Sequence, residues 1–296
     1  MIIKKNYLFA IPLIFTAAVF SVFVLNMNDS HAQSHKTGIL LVAFGTSVSK
    51  AQISYQNIEK KVGAAFPDIP VRWAYTSYII RQKLARQGKT IDSVETALAK
   101  MMDEEFTHVA VQSLHTIPGE EFHALQRNAA VFGTMVEGFD RILVGNPLLV
   151  SEEGLTGVVD ALLNIIPKSR KKTEAVVFMG HGSPHSSNAF YAALMYHLQM
   201  KDPNVFIGTV DHFPEIEDIK EMLLAKKIKV AYLMPFMSVA GDHTINDMAG
   251  DDEDSWESIL KKAGIKSFPI LKGTAEYDEI VDIWVDHLKE VMSDLQ

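Results

Sequence analysis

Leu41-Val42-Ala43-Phe44-Gly45-Thr46-Ser47 and Val177-Phe178-Met179-Gly180-His181-Gly182-Ser183 are the stretches on which the fold turns. Each is an apolar run that stops at a glycine turn, as expected of a buried strand entering a loop. Working outward, similar runs recur at Gly38–Phe44, Val71–Thr76, His108–Leu114, Arg141–Val144, Ala175–Met179, Val205–Val210, Lys229–Met234 and Ser267–Leu271. Between them lie amphipathic stretches such as Ser49–Ala65, Ile91–Phe106, Glu152–Ile166, Asn188–Met200 and Glu276–Leu295. The alternation predicts an α/β fold, with parallel sheets wound on both faces by helices.

The pattern also repeats. The two opening stretches line up as first strands of two halves, and Gly119-Glu120-Glu121 lines up with Gly241-Asp242-His243 after the third strand of each. A duplication follows, with domains at 37–167 and 173–296. The basic linker Lys168-Ser169-Arg170-Lys171-Lys172 marks the boundary.

The chain has 296 residues, a net charge of -8 and no cysteine. Without thiols, any transition-metal site must use histidine and carboxylate, and cysteine nucleophiles are excluded. The acidic balance disfavours nucleic acid as a partner and is compatible with drawing in cations. At the N-terminus, Lys4 and Lys5 precede an apolar run from Tyr7 to Leu25 and then Ser30-His31-Ala32. This describes a secretory signal over residues 1–32, with an uncleaved anchor as the alternative. Removing it takes away Lys4, Lys5 and Asp29, moving the charge from -8 to -9. Both readings place the folded part outside the cytoplasm, so a periplasmic location is expected, with the membrane involved only through the N-terminal signal.

Ligands of open α/β sheets bind beyond the carboxyl ends of the strands. Three segments rich in chemistry fall there. The first is Gly180-His181-Gly182-Ser183-Pro184-His185, where flanking glycines let the backbone turn sharply and project His181. The others are Leu114–His123 and Met237–Asp247. The internal alignment makes Glu121 and His243 equivalent, so two facing halves would bring them together beside His181. Two imidazoles and a carboxylate suit a borderline divalent ion such as Co²⁺, Fe²⁺, Ni²⁺ or Zn²⁺. A hydrolase elbow is excluded because Ser183 follows the second glycine, and no phosphate-binding glycine loop is present. Asp251-Asp252-Glu253-Asp254 reads as a solvated helix start. Tyr232–Met237 reads as core whose last residues could wall a pocket for a flat ligand.

The segments LVAFGTS (Leu41–Ser47), VQSLHTIPGEE (Val111–Glu121), VFMGHG (Val177–Gly182) and LMPFMSVAGDHTIND (Leu233–Asp247) resemble the anaerobic-type sirohydrochlorin cobaltochelatases. These are ATP-independent class II chelatases related in fold to ferrochelatase, and the resemblance spans 37–290. It implies two flavodoxin-like domains with a cleft between them and insertion of Co²⁺ into sirohydrochlorin, with Fe²⁺ as a further metal. It also implies His181 and His243 as metal ligands, Glu121 as the acidic site residue, and His181 and Glu121 as proton acceptors. Thr46, Ser47 and His115 become neighbours that could contact the carboxylates of the tetrapyrrole. His123 is expected on the surface, a candidate ligand for a haem or second metal between subunits, in which case the chain would be a homo-oligomer. An exported metal or haem carrier on the same scaffold is the alternative function.

Overall fold

Two four-stranded parallel sheets form the framework in the computed structural model, which describes residues 35–295. The expected signal at 1–32 lies outside the described residues. The first sheet has strand order β2-β1-β3-β4, from β1 (Thr37–Ala43), β2 (Val71–Tyr75), β3 (His108–Ser113) and β4 (Arg141–Gly145). The second has order β6-β5-β7-β8, from β5 (Ala175–Gly180), β6 (Val205–Thr209), β7 (Val230–Pro235) and β8 (Lys266–Pro269). All eight expected strands are present within a residue or two of their expected bounds. β3, β5 and β6 are buried at every residue, which is why β5 and most of β6 read as continuous apolar runs instead of alternating ones.

The first half carries helices α1 (Gln52–Ala65), α2 (Tyr78–Arg86), α3 (Val94–Asp103), α4 (Glu120–Thr134) and α5 (Glu152–Ile165). The second carries α6 (Ala189–Lys201), α7 (Ile216–Ala225), α8 (Trp256–Lys262) and α9 (Asp278–Leu295). Serine caps set several starts: Ser77, Ser93, Ser151 and Ser255 each accept a hydrogen bond from the backbone amide three residues on. The acidic run 251–254 is exposed directly ahead of α8, as expected.

Backbone hydrogen bonds give the duplication its register. Leu114 N donates to Val42 O in the first half, and Phe236 N to Met179 O in the second. Thr76 N donates to Ala43 O, and Val210 N to Gly180 O. Ala43 therefore matches Gly180, Phe44 matches His181 and Gly45 matches Gly182. The sequence alignment of the first strands, which paired Gly45 with His181, is off by one residue. An apolar run has no internal mark of register, whereas the ladder admits only one. The pairing of Glu121 with His243 follows from the same ladder and stands.

The alternation of side chains separates three cores. Ile39, Leu41, Val176 and Phe178 face a central core that also takes in residues of α1, α5, α6 and α9. Leu40 and Val42 face an outer core with α3, while Val177 and Met179 face another with α7 and α8. Residues 167–173 connect α5 to β5, and the last helix does not stay with the second sheet. α9 returns to pack on β3 and β4, beside α1 and α5. Its buried Ile280, Val281, Trp284 and Leu288 each contribute about 1.5–3 kcal/mol. Polar ties add to this: Lys61 Nζ lies 2.7 Å from Asp282 Oδ1, and Asn57 Nδ2 donates to Ala275 O at 3.0 Å. Arg170, buried in the linker, is held by Asp202 at the end of α6. Burial opposes ionisation of Asp202, but hydrogen bonds from Arg170 and Lys172 outweigh it and hold the carboxyl well below the usual carboxylate range.

Candidate active site

The strand ends of the two sheets enclose a cavity of about 510 Å³, within the range of small-molecule sites. His181, His243, Glu121, His115, Thr46 and Ser47 all line it. Of the candidate site residues that the resemblance assigns, only His123 does not. Phe44, Ile80, Leu114, Ile117, Met237 and Val239 supply broad apolar walls, fitting a flat, largely apolar ring.

His181 follows β5 in a turn that only glycine allows. Gly182 has φ of +88°, and a Cβ there would sit 1.6 Å from Asp211 O. Gly180 is equally constrained, since a Cβ on it would meet the Tyr191 ring at 2.4 Å. His181 Nδ1 lies 3.1 Å from Gly182 O. A carbonyl can only accept, so Nδ1 carries the proton and Nε2 presents a free lone pair.

His243 lies between Gly241 and a π-helical turn at Thr244–Met248. That wide turn places Asp247 beside it, with His243 Nδ1 2.6 Å from Asp247 Oδ2. The Asp247 carboxylate accepts a hydrogen bond from Nδ1–H, orients the ring and leaves Nε2 free. The two imidazoles stand edge to face, with centroids 4.8 Å apart and planes at 87°. Phe44, the pseudo-symmetric mate of His181, lies 6.3 Å from it across the cleft. One phenyl and one imidazole ring thus occupy equivalent places.

Glu121 reaches the cavity from the first turn of α4. The helix N-terminus favours its negative charge there. With Glu120, Asp211 and Asp242, it gives the cavity an acidic lining that attracts a divalent cation.

His115 is different. Its Nδ1 lies 2.9 Å from Ser113 Oγ, its Nε2 is buried without a partner, and burial pushes its pKa down to about 4. It stays neutral at physiological pH and brings no positive charge to the cavity wall. Thr46 is buried and shapes the turn, its Oγ1 accepting from Val48 N at 3.1 Å. Burial likewise pushes the Tyr191 phenol up to about 12, so it remains protonated beneath the glycine turn.

His123 is half-buried outside the cavity, with its ring centroid 5.2 Å from that of His185. Asp211, His212, Tyr191, Phe44 and Asp247 were missed as site residues by the reading of the sequence. Asp211 and His212 follow β6, where the strand-end rule could have found them. Asp247, four residues after His243, was open to discovery as a helical neighbour.

The match to the family described as cobalt chelatase (CbiK) covers residues 37–293. A sirohydrochlorin cobaltochelatase of Nitratidesulfovibrio vulgaris, CbiKC, is 43% identical over 267 residues, covering 90% of this chain and 94% of that protein. The sirohydrochlorin cobaltochelatase of Salmonella typhimurium is 36% identical over 260 residues, covering 87% of this chain and 97% of that one. Among solved structures, SirB from Bacillus subtilis with Fe³⁺ is similar with a TM-score of 0.57 at 17% identity, covering 88% of this chain and 96% of that chain. That likeness establishes a common fold. With the family match spanning nearly all of the described residues and these identities behind it, the chain belongs to the cobalt chelatase (CbiK) family.

Proposed function

We propose that this chain inserts Co²⁺ into sirohydrochlorin without ATP. The observation that carries the reading is the pair of crossed imidazoles, each with Nδ1 occupied and Nε2 free, in an apolar-walled cavity that Glu121 also lines. His181 and His243 hold the ion through Nε2, and Glu121 balances its charge. The ring nitrogens then replace these ligands and the metal's waters. Two N–Co bonds form where two pyrrole N–H bonds break, and the two protons leave through Glu121 and His181 as acceptors. The apolar walls keep the ring flat against the site and exclude water. The name of the relatives as cobaltochelatases of sirohydrochlorin supports both substrates.

The test is spectrophotometric metal insertion by residues 33–296 and by His181→Ala. Catalytic turnover that the substitution abolishes supports the enzyme. Stoichiometric capture without turnover by the folded wild type would instead support an exported metal or haem carrier. Fe²⁺ is the second metal that this donor set admits, and the same assay ranks it against Co²⁺. The segment following Lys4 and Lys5 supports export to the periplasm, which cell fractionation tests. His123 Nδ1 lies 3.3 Å from Gln126 Oε1, leaving Nε2 for a haem or second metal at a contact between subunits. Absence of haem-region absorbance in protein made with haem available would count against that role.

A further inference from the structure

One helix breaks the correspondence of the two halves. After β2 the chain forms α2 before the helix that returns along the sheet, whereas after β6 it passes through a turn straight into α7. α2 has no counterpart in the second half, and it stands at the cavity mouth. Ile80 belongs to the cavity wall, while Tyr78 and Ile79 are each 66% exposed. Its sequence, YIIRQKLAR, carries Arg81, Lys83 and Arg86 and no acidic residue.

These cations are not equivalent. The Arg81 guanidinium donates to the carbonyls of Tyr75 and Thr76, which fastens α2 to the end of β2. Lys83 reaches the other way, with Nζ 3.5 Å from Asp242 Oδ2. Asp242 lines the cavity beside His243, so this ion pair joins the two halves at the mouth. Its length and its exposure, 41% for Lys83 and 61% for Asp242, make it weak and readily exchanged.

The interior has the opposite character. Glu120, Glu121, Asp211 and Asp242 line the cavity, and among the described residues no lysine or arginine does. Such a lining draws in a divalent cation and repels carboxylates. A tetrapyrrole bearing carboxylate arms around its ring must therefore enter with those arms turned outward. We propose that Lys83 is the cation that meets them, exchanging Asp242 for a carboxylate of the macrocycle and so setting the orientation in which the ring enters. This rests on the reading of the cavity as a tetrapyrrole site and adds the residue that positions the substrate there.

The experiment compares the wild-type chain with Lys83→Met and Lys83→Arg, measuring kcat and the separate KM values for sirohydrochlorin and Co²⁺ at low and high salt. For Lys83→Met, KM for sirohydrochlorin should rise about three- to fivefold, the upper part of the range for one ion pair at a half-exposed site. Its salt dependence should flatten, while KM for Co²⁺ stays within about twofold. Lys83→Arg should recover most of the affinity. An unchanged KM and salt dependence in Lys83→Met overturns the proposal, as does an equal rise in both KM values. Fluorescence titration with metal-free sirohydrochlorin separates the two possible failures. A wild type that binds no macrocycle overturns the reading of the cavity and this proposal together. A wild type and Lys83→Met that bind equally tightly overturn only the role of Lys83.

Discussion

Gly182→Ala should damage both stability and the site, and the structure shows by how much. At φ of +88° an alanine is strained by about 1–2 kcal/mol. Its Cβ would lie 1.6 Å from Asp211 O, so the segment after β6 must move by more than an ångström. That movement breaks the hydrogen bond from Asp211 N to His181 O, 2.9 Å long, at a cost of about 1 kcal/mol. Repacking around the new methyl adds about 1–3 kcal/mol. The expected loss is about 3–6 kcal/mol, a large part of the about 5–15 kcal/mol typical of a folded domain. His181 shifts with the turn, and a displacement near 1 Å lowers the insertion rate about 100-fold. Urea unfolding gives the first quantity, and metal insertion under folding conditions gives the second. Gly63→Ala is the control: it lies within α1 with nothing within 4 Å of its added Cβ, and should stabilise by about 0.5–1 kcal/mol. A Gly182→Ala protein with unchanged unfolding midpoint and normal insertion would refute the reasoning.

Other expectations come from single contacts. Asp202→Ala leaves the Arg170 guanidinium, 3% exposed, without its partner, and should cost about 3–5 kcal/mol in urea unfolding. His115 has a folded pKa of about 4 against an ordinary 6.5, so between these values the unfolded chain binds more protons. Stability is therefore complete above about pH 6.5 and falls, by on the order of 3 kcal/mol, as pH drops toward 4. His115→Gln should remove that part of the pH dependence; a slope identical to wild type would count against it. Asp247→Ala releases the His243 ring and should weaken metal capture or turnover about 10–100-fold without changing the unfolding free energy by more than about 0.5 kcal/mol.

Most of the framework was legible because its signals are local. Apolar runs such as Val176–Met179 are buried on both faces, and glycine at 45 and 182 marks turns where φ is positive. Of the helices left out of the reading, α2 and α8 are short and partly exposed, so they carry little periodic signal over their few turns, whereas α4 spans 15 residues and was within reach of it. The strand-end rule found His181, Glu121 and His243. It also reaches Asp211 and His212, which were passed over because no glycine pattern drew attention to them.

What the sequence by itself determined, then, was the α/β alternation, the doubled plan and the histidine and carboxylate residues at strand ends. Each depends on residues close together in the chain. Only the tertiary structure decided the register that sets Phe44 opposite His181, and the return of α9 to the first sheet. It alone placed Asp247 on His243 and Lys83 on Asp242 across the mouth. Those pairings depend on how two sheets pack through a shared core. Packing is a sum over distant contacts, to which no single stretch of sequence holds the key.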